Sequence, residues 1–160
     1  ATGDVPQRHG TGAAVIVPYQ VFDCADRPLC LAAGNDRLWA RCAKVLGHPD
    51  WATDERFAKS RARVVNRAEL VPLIAEVLKT RPRDEWIAAL EAAGVPCAAV
   101  NDIGEVVAIA QFAAVDIAQD LPGGGPRVVG LPIAFDGERP RSARGAPALG
   151  EHNAEVLGGR

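Results

Sequence analysis

Residues 29–46 read LCLAAGNDRLWARCAKVL, a short apolar run followed directly by a helical pattern. The run at 29–33 predicts a strand, and Asn35 is a residue type that caps helix N-termini. Gly47, with Pro49 close behind it, is expected to end the helix. The helix itself is predicted from apolar residues three and four positions apart: Leu38, Trp39, Cys42, Val45 and Leu46.

The segments on the N-terminal side of this stretch predict a hairpin. Residues 13–17 and 19–22 are apolar and rich in β-branched side chains, and Pro18 separates them. Residues 23–28 have the composition of a turn, so the segment 19–22 is expected to pair with the strand at 29–33.

Two further helices are predicted on the C-terminal side. Asn66 and Glu69 have the spacing of a capping box, in which each side chain bonds the other residue's backbone N–H. Pro82 suits the first turn of the next helix, which Gly94 is expected to cap. The apolar positions of the two helices are Leu70, Leu73, Ile74, Val77 and Leu78 in one, and Trp86, Ile87, Leu90 and Ala93 in the other.

The remaining sequence predicts short elements and a polar arm. Strands are expected at 95–100, 117–121, 128–131 and 133–135, and Asn101 with Asp102 can cap a brief helix through Val107. Residues 137–147 are polar, basic and contain prolines, and a helix is expected from Gly150 or Glu151. The predicted fold class is α+β, with polar arms at both ends.

The composition excludes several functional classes. The chain has 160 residues and a formal net charge of -2, so nothing in its charge favours nucleic acid or an anionic membrane as a partner. It contains neither an apolar stretch near 20 residues nor a secretory signal, so a cytoplasmic location is predicted. The four cysteines lack CxxC spacing and the three histidines are scattered, so no metal site is expected and the thiols are interpreted as structural.

The chain contains no methionine, and its first twelve residues resemble a linker more than the start of a domain. We expect the chain to be part of a longer polypeptide; a trimmed N-terminus is the alternative.

Nine short motifs, in this order along the chain, resemble the C-terminal part of the family III CoA-transferases, the CaiB/BaiF group. They are IVPYQVF (16–22), AAGNDR (32–37), LGHPD (46–50), DERF (54–57), RVVNR (63–67), EW (85–86), AGVPC (93–97), VND (100–102) and LGEH (149–152). Formyl-CoA transferase, carnitine CoA-transferase and α-methylacyl-CoA racemase are relatives in this family.

The resemblance implies a two-domain α/β enzyme of which this chain is the smaller, mixed domain. Residues 1–12 would be a linker from an N-terminal CoA-binding domain, 13–136 the small α+β domain, and 137–160 a return arm with a C-terminal helix. The chain's partners would be its own N-terminal domain and, in the complete protein, a second copy in an interlinked homodimer.

The family's reaction, as the resemblance implies it, is acyl-CoA:carboxylate CoA transfer through an aspartyl-CoA thioester. The nucleophilic aspartate belongs to the N-terminal part, so no catalytic residue is expected in this chain, which would be inactive alone. The substrates are an acyl-CoA and a carboxylic acid; coenzyme A enters as substrate, and no cofactor is implied.

Seven residues are candidates for a substrate pocket. By resemblance, Gly10 and Gly12 lie where family members carry a mobile glycine-rich loop over the aspartate, and Pro18, Tyr19 and Gln20 lie near the acyl group. Ordinary linker glycines and hairpin packing are the alternatives. Asn35 and Asp36 complete the set, with helix capping as their alternative role.

Two other functions remain open. The related racemases carry a glutamate just after the residue matching Gly34, in a segment that is one residue longer than here. This chain carries Asp36 instead, which favours a transferase over a racemase. A stand-alone binding or assembly module is the other alternative. Arg139, Arg141 and Arg144 are interpreted as arm contacts rather than phosphate ligands, and His152 is given no catalytic role.

Overall fold

The computed structural model describes residues 3, 5 and 8–158 and divides into two compact units, Ala1–Val100 and Asn101–Arg160. Residues 1, 2, 4, 6 and 7 of the predicted linker, and 159 and 160 of the C-terminal arm, lie outside the described residues. The predicted boundaries at residues 12 and 136 concern the domains of a longer protein and stay predictions.

The first unit contains a three-stranded antiparallel sheet of β1 (Tyr19–Asp23), β2 (Pro28–Ala32) and β3 (Cys97–Ala99), in the order β1-β2-β3. The predicted hairpin is therefore confirmed. The apolar run 13–17 forms no strand: the chain turns there instead, and the peptide bond between Val17 and Pro18 is cis. Proline has no N–H to donate to a strand partner.

Four helices surround this sheet: α1 (Asp36–Val45), α2 (Ser60–Val65), α3 (Arg67–Leu78) and α4 (Arg83–Ala92). A 3₁₀ turn at Pro49–Ala52 follows α1. The helix α1 begins as predicted, because Asn35 Oδ1 accepts a hydrogen bond from the backbone N–H of Leu38 at 2.9 Å. Gly94 ends α4 with a φ of 66°, a conformation that glycine adopts without steric cost.

The capping box predicted at Asn66 was wrong. The short helix α2, which the sequence pattern did not predict, ends directly before this residue. Asn66 Nδ2 therefore donates to the carbonyls of Arg56 at 3.0 Å and Ala62 at 3.1 Å, and no side-chain bond caps α3. The carboxylate of Glu69 pairs with Arg56 instead.

The hydrophobic core of the first unit lies between the sheet and the helices. Every buried apolar side chain of the described residues falls between Val17 and Val95 in sequence. The largest fully buried apolar side chains are Trp39, Trp86, Phe57, Leu29, Leu31, Leu70, Ile74, Leu78 and Leu90. Both indole N–H groups are satisfied, Trp39 by the carbonyl of Trp51 and Trp86 by that of Leu78.

The second unit has short elements: α5 (Ile103–Ala108), α6 (Ala110–Ala114), β4 (Ala118–Gln119), β5 (Val128–Val129) and α7 (Asn153–Leu157). The predicted cap of α5 is confirmed, since Asp102 and Glu105 form a capping box. The strand predicted at 133–135 was wrong: of these residues, only Phe135 makes a bridge, to Glu138.

The second unit leaves most of its apolar side chains in contact with water. Of the described residues 101–158, only Gln119 is buried. The large exposed apolar side chains are Ile103, Val107, Ile109, Val115, Val129, Leu131, Ile133, Phe135, Leu149, Val156 and Leu157. Exposed apolar side chains mark an interface where they form a contiguous patch.

The two units together confirm the predicted mixture of helices and sheet. No helix in the described ranges combines the length and apolar character needed to cross a bilayer.

The core packing predicts different costs for two leucines of α3. Leu70 is 0% exposed and Leu73 is 39% exposed. We expect Leu70→Ala to lower the free energy of unfolding by about 2–5 kcal/mol, because it leaves a cavity. Urea denaturation of the chain should show a clearly smaller loss for the matched variant Leu73→Ala; equal losses would contradict the assigned packing.

The buried thiol of Cys42 predicts a loss of stability at alkaline pH. Burial raises the pKa of Cys42 to about 12, so the folded chain keeps a proton that the unfolded chain releases above about pH 8.5. Cys42 should therefore lower the free energy of unfolding by about 1.4 kcal/mol per pH unit between about pH 9 and pH 12.

The test is urea denaturation at pH 8 and pH 10. Cys42→Ala should lose less stability between these pH values than the unsubstituted chain. Leu46→Ala, a buried position on the same helical segment with no titratable group, should retain the full loss. If Cys42→Ala retained it too, the thiol would not be its source.

Candidate functional site

The candidate site surrounds the segment 9–18, which leads into β1. The structure brings Gly12 next to Gln20: a Cβ atom built at Gly12 would lie 3.1 Å from Gln20 Oε1. It would also lie 3.0 Å from the carbonyl oxygen of His9 and 3.3 Å from Arg67 Nη1. Gly12 is therefore held in a space that a side chain would disturb, whereas a Cβ at Gly10 would meet open space.

Two hydrogen bonds attach this segment to β1. The N–H of Ala13 donates to the carbonyl of Tyr19 at 3.0 Å, and the N–H of Val21 donates to Thr11 Oγ1 at 3.1 Å. The segment thus occupies part of the outer edge of β1, where backbone groups would otherwise bond only to water.

Arg67, the first residue of α3, reaches the same segment from the side. Its Nη2 atom donates to the carbonyl oxygens of Ala13 at 2.6 Å and Ala14 at 2.9 Å. The loop 9–14 is thus bonded to β1 through the N–H of Ala13 and the hydroxyl of Thr11, and to α3 through its carbonyls.

Arg63, on helix α2, is 0% exposed, and its guanidinium forms hydrogen bonds with several backbone segments. Arg63 Nε donates to the carbonyl of Val17 at 2.8 Å. Arg63 Nη1 lies within hydrogen-bond distance of the carbonyls of Phe57 and Ala58, at 3.0 and 3.2 Å, and of Asp36 Oδ1 at 3.2 Å.

The charge of Arg63 persists despite this burial. Burial lowers the pKa of Arg63 from its ordinary value, while the hydrogen bond and charge of Asp36 oppose that shift. An arginine stays protonated in proteins at neutral pH, so the Asp36–Arg63 contact is an ion pair. The guanidinium also lies 5.4 Å from the centroid of the Trp39 ring.

The other candidate residues have identifiable contacts. The Asp36 carboxylate accepts from the N–H of Ser60 at 2.8 Å in addition to Arg63, and Asn35 caps α1. The carbonyl of Pro18 accepts from the N–H of Ala33 at 3.0 Å, and Tyr19 is 46% exposed. The assignment of the seven residues to a substrate pocket stays a prediction.

The candidate set drawn from sequence omitted Arg63 and Arg67, which organise the site. Both belong to the motif RVVNR (63–67), which contributes to the family resemblance but carries no role of its own there. The bonds that join them to the segment before β1 span 46 residues, from Arg63 to Val17, and 54 residues, from Arg67 to Ala13. A local pattern contains no signal for contacts at that separation.

Three of the four cysteines of the first unit are poor candidates for a nucleophile. Burial raises the pKa of Cys24 to about 11 and of Cys42 to about 12, and raises that of Cys97 above its ordinary value. Such thiols are weak nucleophiles at neutral pH. Within the described ranges, no three His, Cys, Asp or Glu residues are grouped so that they could hold a metal ion.

The arginines of the C-terminal arm have partners within the second unit. Arg139 donates to the carbonyls of Leu131 and Val115, and Arg141 pairs with Asp116. Arg144 lies 3.8 Å from Glu155 and lines an open cavity of about 780 Å³ with Gly123–Gly125 and His152. Each of the three arginines thus has a partner within this unit, and their interpretation as arm contacts stays a prediction.

The buried guanidinium predicts a large stability cost. Arg63→Ala should lower the free energy of unfolding by at least about 3 kcal/mol, because it leaves carbonyls without donors and removes the buried cation that pairs with Asp36. Arg61→Ala, an exposed neighbour on α2, should change it by less than about 0.5 kcal/mol. Urea denaturation compares the two variants, and similar small losses would show that Arg63 does not hold these segments.

Comparison with known proteins gives a consistent result. A family model described as CoA-transferase family III matches residues 1–153. The chain is 38% identical over 160 residues to a succinate–glutarate CoA-transferase of Agrobacterium fabrum, covering 98% of the chain and 40% of the relative. It is 32% identical over 157 residues to an acetyl-CoA:oxalate CoA-transferase of Acetobacter aceti, with the same two coverages.

A solved structure agrees with these sequence relatives. The crystal structure of a CaiB/BaiF family protein from Brucella suis matches with a TM-score of 0.83 and 34% identity, over 98% of this chain and 41% of that one. The chain therefore spans about two fifths of the length of the relatives it matches.

Proposed function

The chain belongs to CoA-transferase family III, and on that basis we propose that it is the C-terminal part of an acyl-CoA:carboxylate CoA-transferase. The resemblance seen in the sequence motifs is thereby confirmed at the level of the family. The observation that carries the proposal is the family match over residues 1–153, together with the relatives named as CoA-transferases.

The proposed reaction uses an aspartate of the N-terminal part as nucleophile. Its carboxylate attacks the acyl-CoA carbonyl and displaces the CoA thiolate, which gives a mixed anhydride. The thiolate then attacks the aspartyl carbonyl and releases the donor acid, leaving an aspartyl-CoA thioester. The acceptor carboxylate attacks this thioester, and returning CoA converts the second anhydride into the new acyl-CoA and free aspartate.

Two relatives indicate which acceptor to test first. They are named for oxalate and for succinate and glutarate, all of which are short dicarboxylates. We therefore take a short dicarboxylate as the acceptor class. Coenzyme A is a substrate throughout this scheme, and the scheme needs no cofactor.

In this scheme the described residues shape the reaction site rather than react. The loop 9–14, with Gly12 in close contact with Gln20, covers the bound acyl group, while Pro18 and Tyr19 border it. Exclusion of water matters here because the anhydride and the thioester both hydrolyse. The raised pKa values of Cys24 and Cys42 support a nucleophile outside these thiols.

The contacts of Asp36 support transfer over racemisation. A general base must reach the proton that it removes. The carboxylate of Asp36 accepts instead from the N–H of Ser60 and pairs with Arg63. Asp36 therefore serves as a hydrogen-bond acceptor that holds α2 and the start of α1 together.

The exposed apolar side chains of the second unit support the proposed partners. We propose that this unit packs against the protein's own N-terminal domain and that the complete protein is an interlinked homodimer. The eleven large exposed apolar side chains would then be covered on assembly.

The test uses the complete protein that contains this chain, incubated with succinyl-CoA and either glutarate or oxalate. We expect a new acyl-CoA and, after rapid quenching, a covalent CoA adduct on an aspartate outside residues 1–160. The 160-residue chain alone should show no transfer above background.

Three outcomes would overturn the proposal. They are transfer by the 160-residue chain alone, an adduct that maps within it, or absence of transfer with every acid tried. Deuterium incorporation from D₂O at the α-carbon of a 2-methylacyl-CoA, without transfer, would assign the protein to the racemases instead.

A further inference from the structure

The ion pairing of Arg67 differs from that of the arginines near it. Arg56 pairs with Asp54 and Glu69, and Arg63 pairs with Asp36. Among the described residues, Arg67 has no carboxylate within ion-pair distance, and its hydrogen bonds go to two backbone carbonyls. Its guanidinium is therefore committed to the backbone of the loop 9–14.

The two acceptors of Arg67 are consecutive carbonyls, which fits the geometry of arginine. One nitrogen, Nη2, lies 2.6 Å from the oxygen of Ala13 and 2.9 Å from that of Ala14. Nη2 carries two N–H groups fixed in the guanidinium plane and can donate one to each carbonyl, whereas the ammonium of a lysine rotates on a flexible stem.

Close packing beside this contact leaves the loop little freedom. A Cβ at Gly12 would lie 3.3 Å from Arg67 Nη1 and 3.1 Å from Gln20 Oε1. On the other side, the N–H of Ala13 donates to the carbonyl of Tyr19, and the N–H of Val21 donates to Thr11 Oγ1. Loss of the guanidinium would therefore leave the loop held only by its two bonds to β1, and these bonds would open more often.

We propose that Arg67 is a positioning residue: it holds the backbone of residues 12–14 in place over the reaction site and so keeps water from the covalent intermediate. This inference rests on the proposed function. Without this contact, water attacks the aspartyl-CoA thioester more often, which releases the CoA thiol and regenerates the aspartate carboxylate.

The decisive measurement is the ratio of hydrolysis to transfer in the complete protein. Free thiol released is compared with new acyl-CoA formed from succinyl-CoA and glutarate. We expect Arg67→Gln to raise this ratio at least about tenfold, because a displacement near 1 Å can change a step by about a hundredfold. Gly12→Ala should act in the same direction, and Arg67→Lys should give an intermediate ratio.

Arg61→Gln is the matched control, since Arg61 is exposed on the preceding helix and has no contact with the loop. It should leave the ratio unchanged. A substitution that only destabilised the fold would lower the amount of active enzyme and leave the ratio of hydrolysis to transfer unchanged. If Arg67→Gln and Arg61→Gln gave the same ratio in an enzyme that transfers CoA, the inference would be overturned.

A second measurement does not depend on activity. Amide hydrogen exchange in the complete protein should accelerate about tenfold or more at Ala13 in Arg67→Gln, with the amides of α3 unchanged. Unchanged exchange at Ala13 would overturn the inference. Absence of transfer in the unsubstituted complete protein would overturn the proposed function, and the exchange data would still decide whether Arg67 holds the loop.

Discussion

The buried guanidinium of Arg63 is the contact on which the candidate site depends. It joins the carbonyls of Val17, Phe57 and Ala58 and the carboxylate of Asp36, so the start of α1, the turn before α2 and the approach to β1 have fixed relative positions. An apolar side chain of similar size would fill the space but leave these carbonyls without donors, and an unsatisfied buried acceptor costs about 1–3 kcal/mol.

The loop 9–14 depends on this fixed base but is itself held by fewer and more exposed contacts. Arg67 provides its carbonyl-side bonds, and Thr11 and Ala13 provide those to β1. Segments with few buried contacts open at a lower free energy than the core. A lightly attached loop beside a rigid segment would suit the proposed transferase, in which two different acids enter in turn and water is excluded between them.

Local patterns predicted the elements that local contacts determine. The Asn35 cap, the β1–β2 hairpin and the Gly94 end of α4 each depend on residues a few positions apart, and each was predicted. The errors arose where the structure depends on elements that the local pattern does not reveal. Asn66 bonds to Arg56 because α2 intervenes, and residues 13–17 turn rather than pair. In the site, Gly12 was identified by resemblance, but Arg63 and Arg67 required the folded chain, since Val17 and Ala13, their partners before β1, lie 46 and 54 residues away.

The position of the core along the chain determines which part can fold first during synthesis. All described buried apolar residues lie between Val17 and Val95, and the last strand of the sheet ends at Ala99. Since chains grow at about 5–20 residues per second, the first unit can close on the ribosome seconds before the final sixty residues have emerged. Those residues, with their apolar side chains uncovered, are then the segment of this chain most in need of a chaperone or of prompt assembly.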